Sequence, residues 1–172
     1  MAAEKKKANR TKSRIPKASR PYMPGYGLPK GKEGLLPWTW AEQRLKRSHN
    51  YWISTTRPDG RPHMMVIWGL WIDGAFYFSS GAESRKARNL AKNPHCVIGT
   101  EKADEAVVVE GEVSLLPQES KSSIFKPYEN KYKYDMSAFT AEPVFVVKPT
   151  LVFGLPEKKY LKSATRWEFD TK

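Results

Sequence analysis

The residues most suited to chemistry are in the run Phe78-Ser79-Ser80-Gly81-Ala82-Glu83-Ser84-Arg85-Lys86, where a strand-like stretch ends in small hydroxyl residues and a glycine, and a helix-like stretch opens with Ser-Arg-Lys. A helix N-terminus carries unsatisfied backbone N–H groups and a partial positive charge, so hydroxyls and cations placed there make a cradle for a phosphate. Dipole logic disfavours cations in a first turn. Arg85 and Lys86 are therefore misplaced for helix stability and well placed for an anion, whereas Arg88, one turn on, is expected to face solvent. The sequence offers no Ser-His-Asp set, no metal-ligand cluster and no paired carboxylates at suggestive spacing, and no catalytic residue stands out. That pattern suits chemistry carried by a cofactor, with the protein supplying binding and orientation.

The elements that must position this cradle are mostly strands. Tyr51-Trp52-Ile53-Ser54-Thr55-Thr56 is aromatic and β-branched, and Pro58-Asp59-Gly60 follows as a turn, which together predict a hairpin. The return stretch from His63 to Ile72 is almost continuously apolar, so a ligand, a helix or another subunit must cover the face that does not fill the core. Asp73-Gly74 turns the chain into a further strand, Ala75 to Ser80. Residues 83–93 read as a helix stopped by Pro94, with strands at 95–100 and 106–116, a polar helix near 118–134, and strands at 143–148, 150–155 and 164–169. An earlier helix is expected from Thr39, where Thr39-Trp40-Ala41-Glu42 has the form of a capping box. The inventory is mainly β: a small antiparallel barrel with short helices.

The chain has 172 residues and a formal charge of +12. Residues 1–34 hold ten Lys or Arg against Glu4 and Glu33, leaving +4 for the rest. We expect a disordered basic tail over 1–20, an extended Pro/Gly-rich arm over 21–37 and one domain over 38–172. The tail raises a competing reading, a polyanion-binding arm; nucleic acid is otherwise not an expected partner. The single Cys96 lies in the apolar run His95-Cys96-Val97-Ile98, which excludes an internal disulfide and fits a reducing compartment. No stretch is long and apolar enough to span a bilayer as a helix, so a cytoplasmic protein with no membrane association is expected.

Five segments in one order resemble a known family: Ser54-Thr55-Thr56-Arg57-Pro58-Asp59-Gly60-Arg61-Pro62-His63 followed by Val66-Ile67-Trp68-Gly69, then Phe76-Tyr77-Phe78-Ser79, Ser84-Arg85-Lys86-Ala87-Arg88-Asn89-Leu90, Asn93-Pro94, and Val109-Glu110-Gly111. Together they are similar to the pyridoxamine 5'-phosphate oxidase-like split barrels, with a weaker echo in Ala164-Thr165-Arg166-Trp167-Glu168-Phe169. The resemblance implies a six-stranded antiparallel split β-barrel, a homodimer with cofactor sites at the subunit interface, and an oxidoreductase transferring hydride to or from a small organic substrate. The cofactor it implies is FMN, with coenzyme F420 as the alternative; a haem-binding or non-catalytic barrel is the further alternative. Carried over by position, His63, Met64, Met65, Val66 and Ile67 would contact the ring and Ser79, Ser80, Ser84, Arg85 and Lys86 the phosphate; Arg166 and Trp167 near the C-terminus would close the pocket or, equally, lie on an edge strand with the Arg exposed. Two departures from the vitamin B6 oxidase itself, Trp68 in place of a Lys and Ala106 in place of a Gln, argue against that particular activity. From the residues alone, His63 reads equally as a hydrogen-bond donor to a ligand or as structural. Trp68 and Trp71, three apart, face opposite sides of a strand.

Overall fold

The computed structural model describes residues 15–136 and 141–170. Among the described residues, nine strands and four α-helices follow one another as β1 (Lys17–Ser19), α1 (Trp38–Arg47), β2 (Tyr51–Thr56), β3 (Pro62–Ile67), β4 (Leu70–Ile72), β5 (Ala75–Ser79), α2 (Arg85–Lys92), β6 (His95–Thr100), β7 (Glu105–Leu115), α3 (Ser122–Tyr132), β8 (Val144–Pro156), α4 (Tyr160–Ser163) and β9 (Thr165–Glu168). The strands hydrogen-bond in the order β1-β9-β8-β7-β6-β2-β3, with β5 also on β8 and β4 on β5, and every pairing is antiparallel. The long strand β8 holds the molecule together: β7 runs along its whole length, while its first part pairs with β5 and its later part with β9. This is a mainly antiparallel split barrel with short helices, as the sequence predicts.

Inward positions alternate with outward ones, as a two-residue period requires. Tyr51, Ile53 and Thr55 of β2, Cys96 and Ile98 of β6, and Val107 and Val109 of β7 point into the core. Trp71, Phe76, Phe78, Val147, Val152 and Trp167 fill the rest, and Ala41 and Leu45 of α1 pack on the same cluster. A second apolar cluster joins α3, through Ile124, Tyr128 and Tyr132, to Leu70 and Val144. The expected turns form with the residues that favour them: Gly60 at φ 82°, and Asp73 and Gly74 both at positive φ between β4 and β5.

Four expectations need correction. The stretch from His63 to Ile72 is two strands, β3 and β4, broken at Trp68-Gly69, because a Cβ at Gly69 would run into the Phe76 ring and its backbone bonds instead to the Tyr132 hydroxyl. The strands expected at 143–148 and 150–155 are one, β8, since Pro149 falls at an irregularity opposite Gly111 where no ladder N–H is needed. Helix α1 starts at Trp38 with Pro37 as its N-cap, and Glu42 pairs with Lys46 one turn on rather than closing a capping box at Thr39. Within the expected tail, residues 1–14 lie outside the described residues, but Lys17–Ser19 pair with Arg166–Glu168. Arg20 secures that strand by donating to the carbonyls of Lys162 (2.6 Å) and Glu33.

Candidate functional site

Helix α2 begins where the sequence places it. Ser84 is its N-cap, in extended conformation, and its Oγ accepts from Ala87 N–H at 3.2 Å and lies 3.0 Å from Ser80 Oγ. There is no acidic residue in the first turn, so the positive end of the helix is reinforced by Arg85 and Lys86 rather than neutralised. Burial presses the Lys86 ammonium below the ordinary lysine range, a cost that an anion would offset. Ser79 is turned elsewhere: its hydroxyl donates to Pro143 O at 3.0 Å. Arg88 is exposed.

The helix is tied to the β2–β3 hairpin by Asn89, whose amide donates to Thr55 Oγ1 at 2.9 Å. Thr55 pairs across the hairpin with His63, so His63 and the first turn of α2 come to the same rim of the barrel. Arg57, just beyond the end of β2, is close enough for its charge to act on His63. Both Arg57 Nε and His63 Nδ1 are shielded from solvent without a hydrogen-bond partner. Burial first, and then the charges of Arg57, Arg85 and Lys86, push the His63 pKa below the ordinary histidine value, which favours the neutral imidazole. Among the described residues, none of Arg57, Arg85 and Lys86 closes an ion pair. The nearby carboxylate, Asp59, is instead engaged by Arg61 at 2.6 Å, and that bond holds its pKa low. Unpaired cations converging on orphaned buried nitrogens are what an anion site requires.

Next to this cradle runs β3, at the end of the sheet order, with one backbone edge unpaired. Its side chains Met64 and Val66 on one face are 60% and 47% exposed, and Met65 on the other is 48% exposed, so apolar groups flank the open N–H and C=O groups. A flat, partly polar ring system can lie there, apolar face on the side chains and edge on the backbone. The residues therefore fit a phosphorylated flavin-type group. Ile67 is buried, so its side chain offers no surface to such a ligand. At the far end of the strand, Trp68 stacks on Tyr132 at 4.7 Å and donates to Asn50 Oδ1 at 3.1 Å, while Trp71 lies in the core. The Tyr132 hydroxyl accepts from Gly69 N–H at 2.8 Å, and Lys131 donates to Tyr51 Oη and Gly69 O at 2.7 and 2.9 Å. Burial pushes the Lys131 ammonium down to about 8.

Two expected contacts are not brought here. Trp167 is 1% exposed in the core, packed on Trp38 and close to Gly154, and has no surface to offer a cofactor. Arg166 is on β9, bonded to Ser19 and Glu168, on the other side of β8 from the β7-β6-β2-β3 path. Arg57 is the residue that the sequence reading of the site left out; its position beside a strong turn signal marked it as hairpin rather than ligand. The described residues contain no group of three metal-ligating side chains, and none of their helices is long and apolar enough to cross a membrane. Cys96 is buried, with its thiol pushed up to about 12, and is inert.

Comparison with known proteins agrees with this geometry. Residues 40–155, about two thirds of the chain, match the family model described as pyridoxamine 5'-phosphate oxidase. A pyridoxine/pyridoxamine 5'-phosphate oxidase of Bacteroides thetaiotaomicron is 28% identical over 121 residues, 67% of this chain and 53% of that protein. One of Porphyromonas gingivalis is 31% identical over 84 residues, 46% of this chain and 39% of its own length. The chain thus spans about half or less of these curated relatives. Among solved structures, an F420 reductase superposes with a TM-score of 0.55 at 26% identity, covering 64% of this chain and 94% of that one. A conserved hypothetical protein of Mycobacterium tuberculosis superposes with a TM-score of 0.64 at 18% identity, covering 76% and 91%. With the split barrel, the Ser-Arg-Lys helix start and the match over most of the domain in agreement, the chain belongs to the pyridoxamine 5'-phosphate oxidase family.

Proposed function

We propose that this protein is a flavin-dependent oxidoreductase that binds FMN, with F420 as the alternative cofactor, and passes hydride to or from a small organic substrate. The observation that carries this reading is the set of unpaired cations at the start of α2 beside the open edge of β3. Ser80, Ser84, Arg85 and Lys86 would hold the phosphate, and Met64, Met65 and Val66 with the β3 backbone would hold the ring. Once bound, the cofactor supplies the two-electron chemistry. The chain's part is to orient the ring, to shield it from water with Met64, Met65 and Val66, and to present His63 as a hydrogen-bonding group near the phosphate end. The F420 alternative draws on the likeness to the F420 reductase. A fold neighbour described as a haem storage protein of Vibrio cholerae, 14% identical, bears on the fold alone.

The functional unit is proposed to be a homodimer. Trp52, Met64, Val66 and Val97 share the outer face of β3-β2-β6 and are 36–60% exposed, an apolar surface that a second copy would cover. Titration of the purified protein with FMN and with F420 separately, followed by fluorescence, tests the reading. Saturable binding of one of them is expected; binding of neither rejects it.

A further inference from the structure

We propose that the N-terminal arm and helix α4 together form a docking surface for single-stranded nucleic acid, in which exposed lysines meet the phosphates and Tyr22 and Tyr26 stack on bases. This role does not depend on the cofactor reading above.

The charge of the chain is concentrated in two segments that are remote in sequence. Residues 1–34 and 157–163 carry a net +10 of the chain's +12, so the rest of the barrel is nearly neutral. The fold brings the two segments together. β1 pairs with β9, and Arg20 donates to the carbonyls of Lys162 at 2.6 Å, Ala164 at 3.4 Å and Glu33. Gly34 passes so close to α4 that a Cβ there would lie 2.8 Å from Lys162 O, and the Tyr160 hydroxyl donates to Met23 Sδ at 3.2 Å. The arm is thus held against α4 near both of its ends. Lys30 and Lys32 on the arm, and Lys158, Lys159 and Lys162 at α4, are exposed.

Among the described residues, side-chain ion pairs lie elsewhere, at Arg44–Glu105, Lys46–Glu42, Arg61–Asp59, His95–Glu112, Lys126–Glu129 and Arg166–Glu168. None of the five lysines closes one. Gathered cations without a carboxylate attract a polyphosphate, which gains by releasing its condensed counterions.

Two features favour a single strand over a duplex or a membrane surface. Tyr22 and Tyr26 are 88% and 61% exposed, and they flank the Met23 that the α4 tyrosine holds, so their rings are presented beside the α4 lysines. Unpaired bases stack on such rings whatever their sequence, whereas the bases of a duplex are already stacked on one another. An anionic membrane is met by an amphipathic helix with a long apolar face, and α4 has only four residues.

The test is fluorescence anisotropy of the full-length protein with labelled oligo(U) and oligo(dT) of about 20 nucleotides and with a duplex of the same length, over a range of salt, beside co-sedimentation with phosphatidylserine vesicles. The wild type should bind a single strand saturably and more tightly than the duplex. Lys158→Gln, Lys159→Gln and Lys162→Gln combined should weaken that binding at least about tenfold and flatten its salt dependence by about 2 in slope, since each phosphate neutralised on a single strand contributes about 0.7. Tyr22→Ala with Tyr26→Ala should weaken single-strand binding at least about fivefold and leave duplex binding unchanged. Thermal melts show whether each variant is folded. A wild type that binds no single strand, that binds the duplex as tightly, or that sediments with vesicles while ignoring the strands would overturn the proposal. So would a folded triple lysine variant with wild-type affinity and salt slope.

Discussion

Asn89 donates its amide to Thr55 Oγ1 at 2.9 Å, and Thr55 in turn lies 3.4 Å from the carbonyl of His63, so one buried threonine links α2 to both strands of the hairpin. The link sets the distance between the first turn of α2 and the rim of the barrel. Asn89 Oδ1 has no partner of its own, so the helix side of this contact depends on the Thr55 hydroxyl. Thr55→Val is expected to cost about 1–3 kcal/mol, because a buried amide then goes unsatisfied, and to lower the melting temperature by about 2–10 °C. Thr55→Val combined with Asn89→Leu should cost less than the two changes summed.

Lys131 gives the stability of the protein a pH dependence of definite sign. Its folded pKa, near 8, lies below the reference value of 10.5 for an exposed lysine, so between these pH values the unfolded chain binds the proton and the folded one does not. Stability therefore rises with pH across that window. The rise ends near pH 10, where unfolded tyrosines ionise while buried Tyr51 and Tyr132, whose pKa values are raised, keep their protons. Urea midpoints at pH 7.5 and 9.5 should differ more for the wild type than for Lys131→Met. Equal differences would show that the ammonium is not buried as described.

Trp52 stands at the centre of the proposed pairing face, opposite Val66 on one side and Gly99 on the other. It is 43% exposed, so Trp52→Glu should leave the fold intact and place a charge where a partner would lie. Light scattering on the eluting protein should give a dimer for the wild type and a monomer for the variant. A wild-type monomer would remove the pairing face from the proposal.

The strands and turns were legible because their signals are local. Asp73-Gly74 and Pro58-Asp59-Gly60 fix their turns by backbone preference, and the start of α2 follows from Ser84 and the helix formers after it. What was missed depends on tertiary partners. Nothing in Lys17-Ala18-Ser19 marks a strand; it forms because the edge of β9 is open and Arg20 captures carbonyls beyond residue 160. Pro149 reads as a break until Gly111 is seen opposite it. At β9 the alternation was available in the sequence: Thr165 and Trp167 face inward, and Arg166 and Glu168 outward. Following it would have placed Trp167 in the core rather than at a cofactor. In the cradle, Ser84, Arg85 and Lys86 are contiguous and visible, whereas Arg57 joins them only through the hairpin.

The most direct test of the cofactor site is an FMN titration of Arg85→Ala combined with Lys86→Ala, with riboflavin as the control. Removing two charge-assisted contacts of about 1.5–3 kcal/mol each should weaken FMN binding by at least about 100-fold, with riboflavin affinity unchanged. FMN affinity equal to that of the wild type would contradict the assignment of the phosphate to the start of α2.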